Sequence, residues 1–178
     1  MSALQHALTL ARLAVESYVE AGEIIRPPFT LPEELRRQAP VFVTLRKGNA
    51  LRGCIGTLEP RWPSIAHEII LNAIAAATED SRFPPVEQEE LASLLYEIDV
   101  LTPLEAVADA SALDPQRYGV AVEALGRRGV LLPAIEGVSS AEEQVAIAKR
   151  KAGLTPECAV RLYRFEVLRY REGEEQQS

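Results

Sequence analysis

The sequence predicts an α+β fold, a two-subdomain α/β sandwich with mainly antiparallel sheet, and three observations carry that prediction. Branched and aromatic residues flank Gly-containing turns at 41–57 and again at 118–135, which marks two β-hairpins. Each hairpin is followed by a segment with apolar residues at helical spacing, and each helix by a further alternating strand. The paired hairpins and helices lie about 77 positions apart. That order fits a duplicated ββαβ unit, or a recurrence without ancestry inside one α+β domain; no residue-level repeat accompanies it.

The first element is a helix packed on one face, because Leu4, Ala7, Leu8, Ala11, Val15 and Tyr18 share a stripe and Gly22 stands where a helix terminates. Pro27, Pro28, Pro32 and Pro40 punctuate a connector in which "PEELRRQAP" holds one helical turn. "VFVTL" (41–45), "RKGN" and "ALRGCIGT" (50–57) form the first hairpin. "PSIAHEIILNAIAAAT" (63–78) is a small-residue-rich helix with Ser64 or Trp62 as N-cap. "EDSRFPPV" (79–86) is a loop held extended by two prolines, since Pro84 biases Phe83 away from helical geometry.

After a helical turn in "VEQEELA", "LYEIDVL" (95–101) alternates Tyr96, Ile98 and Val100 with Glu97 and Asp99 and reads as a half-buried strand. "YGVAVEA" (118–124), the turn "LGRRG" and "VLLPAI" (130–135) form the second hairpin. Ser140 and Glu143 make a capping box for a helix ending near Gly153, and "AVRLYRFEVLRY" (159–170) closes with a strand. One domain results: helix and connector over 1–39, a first half over 40–117, a second over 118–172 and a charged, disordered tail over 173–178.

Composition bounds the function. The 178-residue chain is 47% hydrophobic and 25% charged, enough to bury its own core, and no apolar run approaches a bilayer span. Its first 22 residues lack a cationic n-region and are interrupted by Arg12 and Glu16, so a cytoplasmic location is expected. A net charge of −7 argues against nucleic acid as a partner. The pairs Arg36-Arg37, Arg46-Lys47 and Arg127-Arg128 and the run Lys149-Arg150-Lys151 read as solvated turns and a helix C-terminus. His6 and His67 show no ligand spacing, so neither a metal nor a cofactor is expected. Cys54 and Cys158 read as separate thiols, the second as core.

"LRGCIG" (51–56) is the candidate site. On a regular strand Arg52 and Cys54 share a face about 6–7 Å apart, where a guanidinium favours thiolate from a reference pKa of about 8.5. Gly53 and Gly56 then leave room for a ligand to approach the backbone. The competing reading is that the thiol is packing and the glycines mark a bulge. Thr57 and Glu59 follow, Glu59 orienting Arg52, receiving a proton or closing the turn. In "DSRFPP", Asp80, Ser81 and Arg82 suit a small anionic ligand such as a carboxylate or phosphate; equally, they suit an internal loop clamp. His67, beside Glu68, does not complete a nucleophilic triad.

"LRGCIGTLEP" with "DSRFPPV", in this order and separation, resembles the AMMECR-type domain family, seen in bacteria as AmmeMemoRadiSam system protein A. The likeness continues through "EIDVLTPLEAV", "GVLLPAI" and "KAGLTPE" and covers about residues 40–170. It implies an α+β domain in two subdomains, and a Memo-type protein and a radical S-adenosylmethionine enzyme as partners. An iron–sulfur cluster would belong to that enzyme, because this chain has no cysteine triplet. Motif roles transfer to Leu51–Gly56 and to Ser81–Pro85. At Val138, Ser139 and Ser140 the chain departs from the family, which often carries a tryptophan there. Two functions follow as expectations. One is an enzyme or enzyme subunit with Cys54 as a thiolate, Arg52 sustaining its charge and Arg82 anchoring an anion. The other is a non-catalytic ligand-binding or adaptor protein in which LRGCIG is structural.

Overall fold

The computed structural model describes residues 2–173. The predicted tail falls outside these from residue 174 onward. The chain forms two compact units: one runs from the N-terminal helix through Val100 and takes in the strand from Leu168, and the other is Leu101–Val167.

In the first unit, helix α1 (Ala3–Ala21) starts at a capping box, where the Gln5 amide donates to Ser2 Oγ and the Gln5 side chain accepts from the Ser2 amide. It stops at Gly22, whose φ of 69° lets the amide turn back onto Tyr18. The short helix α2 (Glu33–Arg36) precedes strands β1 (Val41–Lys47) and β2 (Ala50–Gly56). Helix α3 (Ile65–Thr78), capped by Ser64, and a 3-10 helix (Gln88–Ser93) lead to β3 (Leu94–Leu101).

The other unit holds β4 (Glu105–Val107), the hairpin β5 (Gly119–Ala124) and β6 (Arg127–Leu131), helix α4 (Ala141–Lys151) and β7 (Arg161–Phe165). Strand β8 (Val167–Arg171) then returns to the first sheet. The sheet orders are β2-β1-β3-β8 and β4-β7-β5-β6. Read from the second strand of each hairpin, the two orders are the same: hairpin, strand after the helix, then one outer strand. Ser64 and Ser140 cap the corresponding helices.

The core of the first unit forms where Val41, Val43, Leu45, Tyr96, Ile98 and Val100 face α1 and α3. Burying such side chains contributes roughly 1.5–3 kcal/mol each. Val120, Val122, Leu131 and Ala148 serve the second unit.

Three expectations are corrected, and one strand is added to them. From Tyr96 onward strand β3 is buried on both faces, with Glu97 at 5% and Asp99 at 1% exposure, because arginines rather than water meet these carboxylates. The 159–170 run divides at Glu166 into β7 and β8, which belong to different sheets. The second hairpin turns at Leu125 and Gly126, both at positive φ, so Arg127 and Arg128 lie on strand β6. Strand β4 was not anticipated; three residues give too short an alternation to read. Among the described residues, no helix is long and apolar enough to cross a membrane, and no cluster of His, Cys, Asp or Glu suits a metal.

Candidate functional site

The pairing of β1 with β2 slips at Arg52. Leu45 faces Gly53 while Arg46 faces Leu51, which leaves Arg52 as the extra residue of a β-bulge. The bulge breaks the alternation that would have put Arg52 on the Cys54 face. Arg52 instead donates from Nε and Nη2 to the two oxygens of Glu90, each at 2.9 Å. Its guanidinium lies 5.9 Å from the centroid of the Phe83 ring, and Nη1 is buried without a hydrogen bond. Together with the Glu87 amide and Lys47, Arg52 pulls the Glu90 carboxyl down to about 2. Arg52 is therefore a buried structural cation held by Glu90; the expected roles for it at the thiol and for Glu59 in orienting it are both corrected.

Both motif glycines are required by packing. A Cβ on Gly53 would stand 2.1 Å from the Ala76 carbonyl oxygen on α3, and one on Gly56 would stand 2.3 Å from the Phe42 ring. The space beside the backbone is filled by the protein itself, which corrects the expectation that it admits a ligand. Thr57 donates to the Glu59 carbonyl at 2.6 Å and closes the following turn.

Cys54 is partly buried on the sheet face away from α3, paired with Thr44. Thr44 Oγ1 donates to its sulfur at 3.2 Å. Burial pushes the thiol above its ordinary value; the Thr44 hydroxyl and Arg82 oppose this, while Asp99 and Asp80 add to it. The cation that acts on the sulfur is Arg82.

Asp80 joins the two motifs. Its Oδ2 accepts from the Cys54 amide at 3.0 Å and from Arg82 Nη2 at 2.7 Å, while Oδ1 accepts from the Arg82 amide and Nε. Those donors hold its carboxyl well below the usual carboxylate range. Asp80 is 7% exposed, whereas the Arg82 side chain stays 57% exposed. Phe83 lies under Arg82 and Arg52, and the loop is tied back by the Val86 amide donating to Ala77 at 2.7 Å. Of the two readings of "DSRFPP", the internal clamp is realised for Asp80 and Arg82; Ser81 is exposed.

Beyond Thr44, the thiol-bearing face carries residues that the sequence reading did not select. Asp99 is held by Arg169 at 2.7 and 2.9 Å, and Glu97 by Arg171 at 2.5 Å. Burial raises the Asp99 carboxyl despite Arg169. The available signal was acidic residues alternating with large apolar ones in "YEIDVL", matched by Arg169 and Arg171 alternating in β8.

Alignment of the two units on strand register separates scaffold from site. Gly129 corresponds to Gly53, and a Cβ on it would stand 1.9 Å from the Ala148 carbonyl oxygen on α4. Arg128 faces Glu123 as Leu51 faces Arg46, so in register it corresponds to Leu51, and the bulged Arg52 has no counterpart on β6. The close-packed glycine is thus common framework, and the bulged arginine is not. Cys54, Thr44 and Glu97 correspond to Val130, Ala121 and Tyr163, because Ala121 faces both of the latter as Thr44 faces Cys54 and Glu97. The polar set belongs to the first unit alone.

An α+β arrangement of two four-stranded antiparallel sheets with the same strand order, one of them carrying a thiol-centred polar face, defines the class of protein. The chain belongs to the AMMECR1 family, whose profile matches residues 8–172. A Thermotoga maritima protein is 53% identical over 88% of this chain and 92% of its own length. A Clostridium acetobutylicum protein is 42% identical over 92% of this chain, which spans only 35% of that longer protein. The crystal structure of the uncharacterised protein PH0010 from Pyrococcus horikoshii matches with a TM-score of 0.86 and 37% identity, covering 92% of this chain and 88% of that one.

Proposed function

We propose that the protein is a binding or adaptor protein whose recognition surface is the exposed Arg82 beside the partly buried Cys54, with LRGCIG and the Asp80–Arg82 loop as the framework that shapes it. The carrying observation is the Asp80 carboxylate, which spends its acceptors on the Cys54 amide and on Arg82. This arrangement locks both motifs together, and burial of the sulfur favours a neutral thiol at rest. The exposed portion of Arg82 supplies positive charge toward an anionic ligand or an acidic partner segment. The partners to test are those implied by the family likeness, a Memo-type protein and a radical S-adenosylmethionine enzyme. The longer Clostridium relative supports association with further protein, since the matching region is only part of its chain.

The test is capture of each purified candidate partner by the full chain and its variants. Cys54→Ser should bind within about threefold of the parent, while Arg82→Glu, which reverses an exposed charge, should weaken binding about tenfold or more. Capture by neither partner, or capture unchanged by Arg82→Glu, contradicts the proposal. An enzyme reading gains if Cys54→Ser binds normally yet abolishes a modification reaction reconstituted from the three proteins.

A further inference from the structure

Residues 22–30 leave α1 as an extended segment without helix or strand, fixed by Pro27 and Pro28 and anchored where Arg36 Nη2 donates to the Phe29 carbonyl at 3.4 Å. Between this segment and α3 lies a groove of about 490 Å³, within the size range of small-molecule sites. Its apolar lining comes from Ile24, Pro27 and Phe29 on one side and Ile70 and Leu71 on the other. Phe29 is wholly exposed and Ile24 is 58% exposed, although both are large apolar side chains. The polar groups that line the groove are Arg26 and His67. His67 Nδ1 lies 2.8 Å from Ser64 Oγ, which fixes the ring and leaves Nε2 without a partner in the described chain. Arg26 likewise has no carboxylate partner among the described residues.

We propose that this groove binds a free carboxylate carrying an apolar chain, with Arg26 receiving the carboxylate, His67 beside it, and Phe29, Ile24, Ile70 and Leu71 covering the chain. In a chain of net charge −7, an apolar groove whose charged lining group is the Arg26 guanidinium selects an anion. That net charge also opposes a second copy of the chain as the occupant.

Calorimetric titration of the full chain with sodium decanoate below its micellar concentration tests the assignment. One saturable site is expected, with decanol, which has the same chain without the charge, binding about tenfold or more weakly. Arg26→Gln should lose about tenfold for decanoate and leave decanol unchanged, while Phe29→Ser should weaken both. The Phe29 side chain is fully exposed, so its replacement should leave thermal unfolding unaltered. Absence of saturable decanoate binding overturns the proposal, as does binding unaffected by both substitutions. A chain that binds no decanoate but self-associates until Phe29 is replaced would assign the face to a second copy and equally overturn it.

Discussion

The Cys54 amide donates to Asp80 Oδ2 at 3.0 Å, and through this bond two motifs 26 residues apart act as one piece of structure. The same carboxylate oxygen accepts from Arg82, so the cation nearest in effect to the thiol is positioned by the group that also holds the thiol's backbone.

Asp80→Asn should destabilise the chain by about 2 kcal/mol in urea unfolding, because a charge-assisted bond to Arg82 and an acceptor for the Cys54 amide are lost. Removing the negative charge should also lower the thiol pKa, since Asp80 raises it. The folded carboxyl lies below its ordinary 3.8, so its stabilisation is complete above that value and disappears as pH falls through the depressed one. The variant should therefore lose part of the acid sensitivity of the parent.

Glu90→Ala should cost about 3 kcal/mol, because Arg52 is left buried without its partner. Arg52→Met combined with Glu90→Leu should cost less than that single change, as measured in a double-mutant cycle. With the Glu90 carboxyl moved from 4.5 to about 2, the pair's contribution is present above 4.5 and is lost as pH drops through about 2.

Gly53→Ala and Gly129→Ala should each cost about 3 kcal/mol, since each added methyl meets a helix carbonyl oxygen that cannot withdraw without moving α3 or α4. Comparable losses in thermal unfolding would show that the two positions have the same job. A neutral result at Gly129 would break the correspondence between the units.

Arg169→Leu should destabilise by about 3 kcal/mol, because Asp99 is 1% exposed and loses both of its short bonds. Asp99→Asn in the same background should recover part of the loss, measured by denaturant unfolding at constant pH.

The order of hairpins, helices and strands was legible because apolar periodicity and Gly-containing turns act locally: Ser64, Ser140 and Gly22 fall at the ends that their chemistry predicts. The exchange of sheets at Glu166 was not, since β7 and β8 alternate alike and a change of sheet leaves the period intact. At the site, the positions in LRGCIG and DSRFPP were visible, but their partners were not. One inserted residue on β2 turned Arg52 away from Cys54; the glycines had offered a bulge as one reading, but hydrophobicity does not say which residue is the extra one. Glu90, 38 residues from Arg52, is a surface-type residue in a polar run until the fold supplies the arginine. Glu97 and Asp99 were readable as one face of a strand, yet their burial depends on Arg169 and Arg171, 70 and 74 residues away.

The most direct test of the account is the rate of iodoacetamide reaction at Cys54 against pH, in a Cys158→Ser background. A neutral, partly buried thiol predicts slow modification at pH 7, an inflection above that of an unperturbed cysteine, and a further upward shift in Arg82→Gln. A thiol raised in the folded state also predicts stability that declines as pH climbs past the unfolded thiol's value. Rapid modification at pH 7 with an inflection below 8, unchanged by loss of Arg82, would contradict it.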